Sequence, residues 1–136
     1  MGQTQILMII LAVIIIGIAV TVGITQFGES SLAANRDAMA GDCQRVIALS
    51  QQWAKKPESL GGGGNDFTGL TLAAIGVTAT NANGTVALTV DDEDTITCVG
   101  TGNEKTSAGA SVAVTMVYNL GDANPVTTDN MAAEEE

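Results

Sequence analysis

Histidine is absent from the 136 residues of this chain. That removes the commonest general base and the commonest transition-metal ligand. Cations are nearly as scarce: Arg36, Arg45, Lys55, Lys56 and Lys105 stand against 15 aspartates and glutamates, leaving a net charge of −10. An excess of that sign argues against nucleic acid and anionic lipid headgroups as partners of the folded surface. Aromatic residues are limited to Phe27, Trp53, Phe67 and Tyr118, too few and too scattered for stacked-ring conduction. The two cysteines, Cys43 and Cys98, belong to no CxxC motif. Two thiols without further ligands cannot make a structural zinc site, which leaves either two buried small hydrophobes or one disulfide.

Charge is also missing from the amino-terminal stretch "MGQTQILMIILAVIIIGIAVTVGITQFGES", where the first charged side chain is Glu29. Positions 6–24 are Ile, Leu, Met, Val and Ala, interrupted by Gly17, Thr21 and Gly23. At ~1.5 Å per residue this stretch covers roughly 28 Å, the thickness of a bilayer core. It is too long and uniform for an ordinary secretory signal peptide and has neither a basic n-region nor a clear cleavage site, so it is expected to be retained. In lipid or a dry protein core, unsatisfied backbone is so costly that helix is the expected state despite the many β-branched residues.

The helical pattern continues past the apolar run. In "ESSLAANRDAMAGDCQRVIALSQQWAK", Leu32, Met39, Val46 and Trp53 recur every seventh residue, with Cys43, Ile47 and Ser50 beside that line. Asn35, Arg36, Asp42, Arg45, Gln52 and Lys55 are expected to fall away from the buried face. Lys55 and Lys56 suit a helix C-terminus, and Pro57 ends the run. One helix of about 50 residues is predicted, with Gly23 and Gly28 as the places for a bend or local melting.

Beyond Pro57 the pattern changes to turns and strands. The glycines at 61–64 lack the Gly-Lys-Ser/Thr ending of a phosphate-binding loop and do not lead from a strand into a helix, so they predict a permissive turn rather than a nucleotide site. Alternation then places Val86, Leu88 and Val90 on one face of a strand, Ile96 and Cys98 on another, and Val112, Val114, Met116 and Tyr118 on a third. A less regular first strand is expected within 67–77. Three or four antiparallel strands with one apolar face need a cover, and the amphipathic half of the helix is the available one. Cys43 on its buried face then meets Cys98 on the buried face of the sheet, which together with the export-like leader favours the bridge. The chain is thus expected to be α+β: a long N-terminal helix, apolar and then amphipathic, packed on a small antiparallel sheet.

Several polar clusters read as solvated. "DDED" at 91–94 lacks the ordered spacing of a calcium loop, and Asp122, Asn124 and Asp129 around Pro125 form a second oxygen-rich loop of the same kind. Asn83-Gly84-Thr85 matches a glycosylation sequon. The glutamates at 134–136 form an acidic tail, expected to be solvated. No nucleophile accompanies these carboxylates, so no enzyme, catalytic residue, metal or cofactor is expected. The expected segments are an apolar helix at 1–28, an amphipathic helix at 29–56, a Gly-rich linker at 57–66, a β domain at 67–120 and an acidic tail at 121–136.

In its apolar "QILMIILAVIIIGIAVTVGI", its amphipathic continuation to "QQWAKKP" and its small strand-rich domain with two cysteines, the chain resembles the type IV pilin family. The resemblance implies a helix that sits in the inner membrane and then packs with its neighbours in the core of a helical filament, the globular part forming the outer wall. It implies identical subunits and the pilus assembly machinery as partners, a cell-surface location, and a role in adhesion, motility or uptake. The packing positions would be Gln5, Ile6, Leu7, Ile10, Leu11, Ile14, Gly17, Ile18 and Gly23. The head's helix–sheet core would comprise Leu32, Met39, Val46, Trp53, Val86, Leu88, Val90, Val112, Val114 and Met116. Two features depart from the family: Gln5 stands where a glutamate is usual, and Met1-Gly2 replaces a basic leader, so either a leader has been removed or the export route differs. A neutral amide is cheaper to bury than a carboxylate but forgoes charge-assisted pairing with a neighbouring amino terminus. Other readings of the same features are a single-span anchored binding module and a pseudopilin of a secretion machine. A simple anchor usually has a linker or basic stop-transfer cluster after its span, whereas here the helix is expected to run straight into the domain.

Overall fold

In the computed structural model, residues 2–106 and 108–129 are described; Met1 and the glutamates at 134–136 lie outside them. The chain is one long helix joined to a four-stranded antiparallel meander, an α+β fold. Helix α1 spans Gly2–Lys55, 54 residues, or about 81 Å at the usual rise. It runs without interruption through Gly23 and Gly28, so the expected break is not found. Each glycine there costs about 1 kcal/mol relative to alanine, less than opening the hydrogen-bond ladder of an apolar helix.

The sheet contains β1 (Gly84–Val90), β2 (Thr95–Lys105), β3 (Ser111–Asn119) and β4 (Val126–Asp129) in the order β1-β2-β3-β4. Strand β4 corrects the expectation of a tail beginning at 121. Pro125 sets an extended entry, and the β-branched Val126, Thr127 and Thr128 extend the ladder from Val117 back toward Val114. The strand expected within 67–77 is replaced by consecutive turns, with Leu70 N–H donating to Phe67, Ala74 to Thr71 and Val77 to Leu72. Its apolar residues Leu70, Leu72, Ile75 and Val77 reach the core at spacings that fit neither strand nor helix. Phe67 anchors the segment, fully buried with its ring edge-on to Tyr118 at 6.3 Å.

The second half of α1 covers the inner face of the sheet. Met39, Cys43, Val46, Ile47 and Ala54 on the helix, and Val86, Ile96, Cys98, Val114 and Met116 on the sheet, form one buried cluster, with Val112 also fully buried. Trp53, Leu88 and Val90 are half-buried at its margin. Leu32 lies outside the cluster and is only half-buried, because the seven-residue line runs past the end of the sheet. Ser50, fully buried on the packed face, donates to the Val46 carbonyl at 2.8 Å and so leaves no unmet hydroxyl.

Cys43 and Cys98 are bridged across this interface, their Cα atoms 5.7 Å apart. A head of this size has a small core, and a covalent tie between its two layers limits the disorder of the unfolded chain. At the C-terminus of α1 the glycine-rich turn folds back to use the helix's last carbonyls: Gly63 N–H donates to Trp53, Asn65 to Ala54 and Gly64 to Lys56. The amides that could have cradled a phosphate thus cap a helix. Gly63 is required there, since a Cβ would lie 1.9 Å from the Asp66 carbonyl oxygen and 2.6 Å from the Trp53 ring. The turn ends at Asp66, whose carboxylate accepts hydrogen bonds from Thr68 and is held below the usual carboxylate range by them.

The outer face of the sheet carries three cross-strand rows. Thr85, Thr101 and Ala113 form one, Ala87, Val99, Thr115 and Thr128 the next, and Thr89, Thr97, Val117 and Val126 the third. No charged residue occurs in these rows.

Replacing both Cys43 and Cys98 by serine is expected to lower the unfolding free energy by about 4 kcal/mol, the chain-entropy value for a loop of this length. Denaturant titration of the detergent-solubilised full chain, followed by Trp53 fluorescence, measures it; an unchanged midpoint contradicts the bridge's role. By the same assay Gly63→Ala is expected to cost about 1–3 kcal/mol through overpacking against the Asp66 carbonyl.

Candidate assembly surface

The most exposed apolar surface of the molecule is the first half of α1. Fourteen large apolar side chains between positions 6 and 24 are each 51–68% exposed, a value appropriate to charged surface residues rather than isoleucines. By length and composition this helix is able to cross a membrane, and none of its most apolar window is buried within the chain. Every residue assigned to packing in the sequence reading lies here. Ile6, Leu7, Ile10, Leu11, Ile14 and Ile18 form a stripe along one side of the helix, and these residues with Gln5, Gly17 and Gly23 all lie outside the head's core. Around Gly17 and Gly23 nothing lies within 4 Å of where a Cβ would stand, so no contact within the chain demands glycine at either site. Ile15, Ile18, Ala19, Val22, Gly23 and Gln26 line a shallow apolar hollow on one side.

The polar groups inside this band are satisfied by the helix itself. Thr21 Oγ1 donates to the Ile18 carbonyl at 2.8 Å, and Thr25 Oγ1 to the Val22 carbonyl at 2.9 Å. Both hydroxyls can therefore enter lipid or a dry core without the cost of an unmet hydrogen bond. Gln5 and Gln26 stand at the two ends of the band, and about 20 residues between them match a bilayer core. Beyond Gln26, Phe27 is 80% exposed, and α1 continues to Asn35 with Leu32 alone half-buried among residues 27–34.

From Asn35 onward the helix is locked to the head by polar side chains that sequence reasoning had turned toward solvent. Asn35 Nδ2 donates to the Asn83 carbonyl at 2.9 Å, and Asn35 Oδ1 accepts from the Glu104 amide at 3.4 Å. Gly102 makes this approach possible, because a Cβ there would lie 1.8 Å from Asn35 Oδ1. Asp42 Oδ2 accepts from Asn81 Nδ2 at 2.7 Å and from Asn83 Nδ2 at 3.4 Å. The missed signal is the four-residue step from Asn35 to Met39, which puts both on one helix face. Asn83 Nδ2, the atom a glycan would occupy, is thus already engaged.

The remaining candidate clusters are surface turns. Residues 91–94 connect β1 to β2, and Thr97 Oγ1 donates to Asp91 Oδ2. Asp122 and Asn124 are exposed in the connection from β3 to β4. Among the described residues no three or more Cys, Asp or Glu side chains gather as a metal site. The chain matches no family model, no curated protein and no solved structure.

A charge at the middle of the apolar band is the direct test of its environment. Ile14→Lys costs about 2.5–3.5 kcal/mol at a bilayer centre and is expected to lower the fraction of chain recovered in the membrane without abolishing it, while Ile10→Lys, Ile14→Lys and Ile18→Lys together are expected to move the chain out. The head's disulfide and Trp53 emission are expected to stay unchanged, since position 14 touches no part of the head, and Ile14→Leu is the silent control.

Proposed function

We propose that this chain is a structural subunit of a type IV pilin-like filament, held in the membrane by the first half of α1 and polymerised by packing that half against identical copies. The observation that carries the reading is an apolar helix whose large side chains along 6–24 are all exposed and which is continuous with the helix that forms the head's core. A helix leaving the bilayer cannot face water, so its lipid contacts are exchanged for contacts with other copies. One heterologous contact repeated with a rotation that does not close produces an open helical polymer. The unbroken run from span to head supports this over a tethered binding module, because a stiff connection holds each head at a fixed height and angle from the axis. Small residues at 17, 19 and 23 allow close approach of neighbouring backbones, and the acidic, threonine-rich heads keep the outside of the fibre soluble. Adhesion, motility or uptake is then mechanical work done by the fibre.

Negative-stain electron microscopy of material sheared from producing cells, with mass spectrometry of the fibres, tests the proposal. Long thin fibres composed mainly of this chain are expected, and their N-terminal peptide identifies the residue that starts the mature subunit. Recovery of the chain only as a detergent-solubilised monomer, with no fibres, overturns the filament and leaves an anchored module.

A further inference from the structure

Asn83 is followed by Gly84, and no other asparagine of the chain precedes a glycine. Asparagine in that position is labile, because glycine has no Cβ to obstruct the attack of its own amide nitrogen on the asparagine side chain. Packing explains why the pair is kept. Gly84 opens β1 opposite Gly102, and a Cβ on it would lie 2.1 Å from the Thr101 carbonyl oxygen and 2.9 Å from the Gly102 Cα. No residue with a side chain fits there without moving β2.

The surrounding loop restrains both groups that would react. Asn81 Oδ1 accepts the Gly84 N–H at 3.0 Å and the Asn83 N–H at 2.9 Å. Asn81 Nδ2 donates to Asp42 Oδ2 at 2.7 Å, which fixes the oxygen end of this amide toward Gly84. Asn83 Nδ2 is held toward α1 by the same Asp42 oxygen at 3.4 Å, and the Asn83 carbonyl accepts from Asn35 Nδ2 at 2.9 Å and from the Asn103 N–H at 3.1 Å. For cyclisation the Gly84 nitrogen must lose its proton and the Asn83 side chain must turn from Asp42 to meet it. Both moves break the polar lock that α1 makes with this loop.

We propose that Asn83-Gly84 is a latent self-modification site gated by Asn81 and Asp42, converting when the joint between α1 and the start of β1 opens. The Gly84 nitrogen gives its proton to hydroxide from the solvent and bonds to Asn83 Cγ. The Cγ–Nδ2 bond breaks, and Nδ2 leaves as ammonia after taking a proton from water. Water then opens the cyclic imide at either carbonyl, leaving aspartate or its β-linked isomer at position 83. Nothing is oxidised or reduced. Neither product rebuilds the joint: aspartate sets a carboxylate against Asp42, and the β-linked isomer lengthens the main chain by one carbon where Asn35 grips it. Conversion therefore leaves a permanent record that the joint has opened. It is a property of the head and does not rest on the filament reading.

The test incubates the detergent-solubilised full chain, disulfide intact, in mildly alkaline buffer. Conversion at position 83 is followed by peptide mapping, with fragmentation that separates aspartate from its β-linked isomer. Asn83 is expected to convert about tenfold or more slowly in the folded chain than in the same chain in denaturant. Asn81→Ala is expected to raise the folded-state rate several-fold, up to about tenfold, the equivalent of one lost hydrogen bond, with Trp53 emission unchanged. Asp42→Asn combined with Asn81→Asp exchanges donor and acceptor across the lock. This pair is expected to return the rate toward that of the parent chain, an outcome that misfolding does not produce. Equal rates in the folded and denatured chain, a rate indifferent to Asn81→Ala, or an exchanged pair that converts as fast as Asn81→Ala overturns the proposal.

Discussion

The exposure of an apolar helix to water is the constraint on which the rest of the molecule depends. Fully burying a large aliphatic side chain is worth roughly 1.5–3 kcal/mol. The fourteen such residues between positions 6 and 24 therefore represent tens of kcal/mol left unrealised within the chain, more than the ~5–15 kcal/mol that stabilises a whole domain. No rearrangement of the small head covers that surface. On the filament proposal it is removed from water by lipid and then by other copies, and the continuation of the same helix into the head sets where the head stands.

The head is organised around the helix it must carry. Its sheet has one apolar face, and the second half of α1 is both the lid of that face and the link to the membrane-grade half. Force or motion transmitted along α1 therefore acts directly on the core, and the structure resists it at three levels. The Cys43–Cys98 bridge ties helix to sheet covalently, the Asn35 and Asp42 hydrogen bonds hold the sheet's edge loops to the helix, and the glycine turn seals the helix end with backbone bonds. A small core alone is a weak mechanical joint; the bridge and the polar lock supply what burial cannot.

Charge is segregated along the molecule. The apolar band has none and satisfies its hydroxyls internally, the stalk and head carry the acids, and the central rows of the outer sheet face again have none. The acidic excess keeps heads apart in solution and weakens non-specific contact with other acidic surfaces. Where charge is absent, close approach is possible, and the pattern sets the large apolar band of α1 apart from the small neutral face of the sheet.

The sequence by itself determined the architecture wherever a strong period or a solvent argument applied. The uncharged 6–24 run had to be helical in an apolar medium, the seven-residue line of Met39, Val46 and Trp53 had to face a core, and the alternation in β1, β2 and β3 had to put Cys98 on the same side as that core. It misled where the deciding partner lay far along the chain. Residues 67–77 have strand-like composition, yet they form turns, with Phe67 held by partners far along the chain: its amide donates to the Glu93 carbonyl and its ring packs on Tyr118. Leu32 keeps the helical period but falls beyond the end of the sheet, a matter of strand length and register. Asn35 and Asp42 look solvated until the Asn81–Asn83 loop arrives opposite them, and β4 is too short to announce itself without β3 beside it. Local periodicity records which face of an element is apolar; only the tertiary structure decides which polar groups find partners and where a face ends, because those depend on contacts between segments that no local pattern encodes.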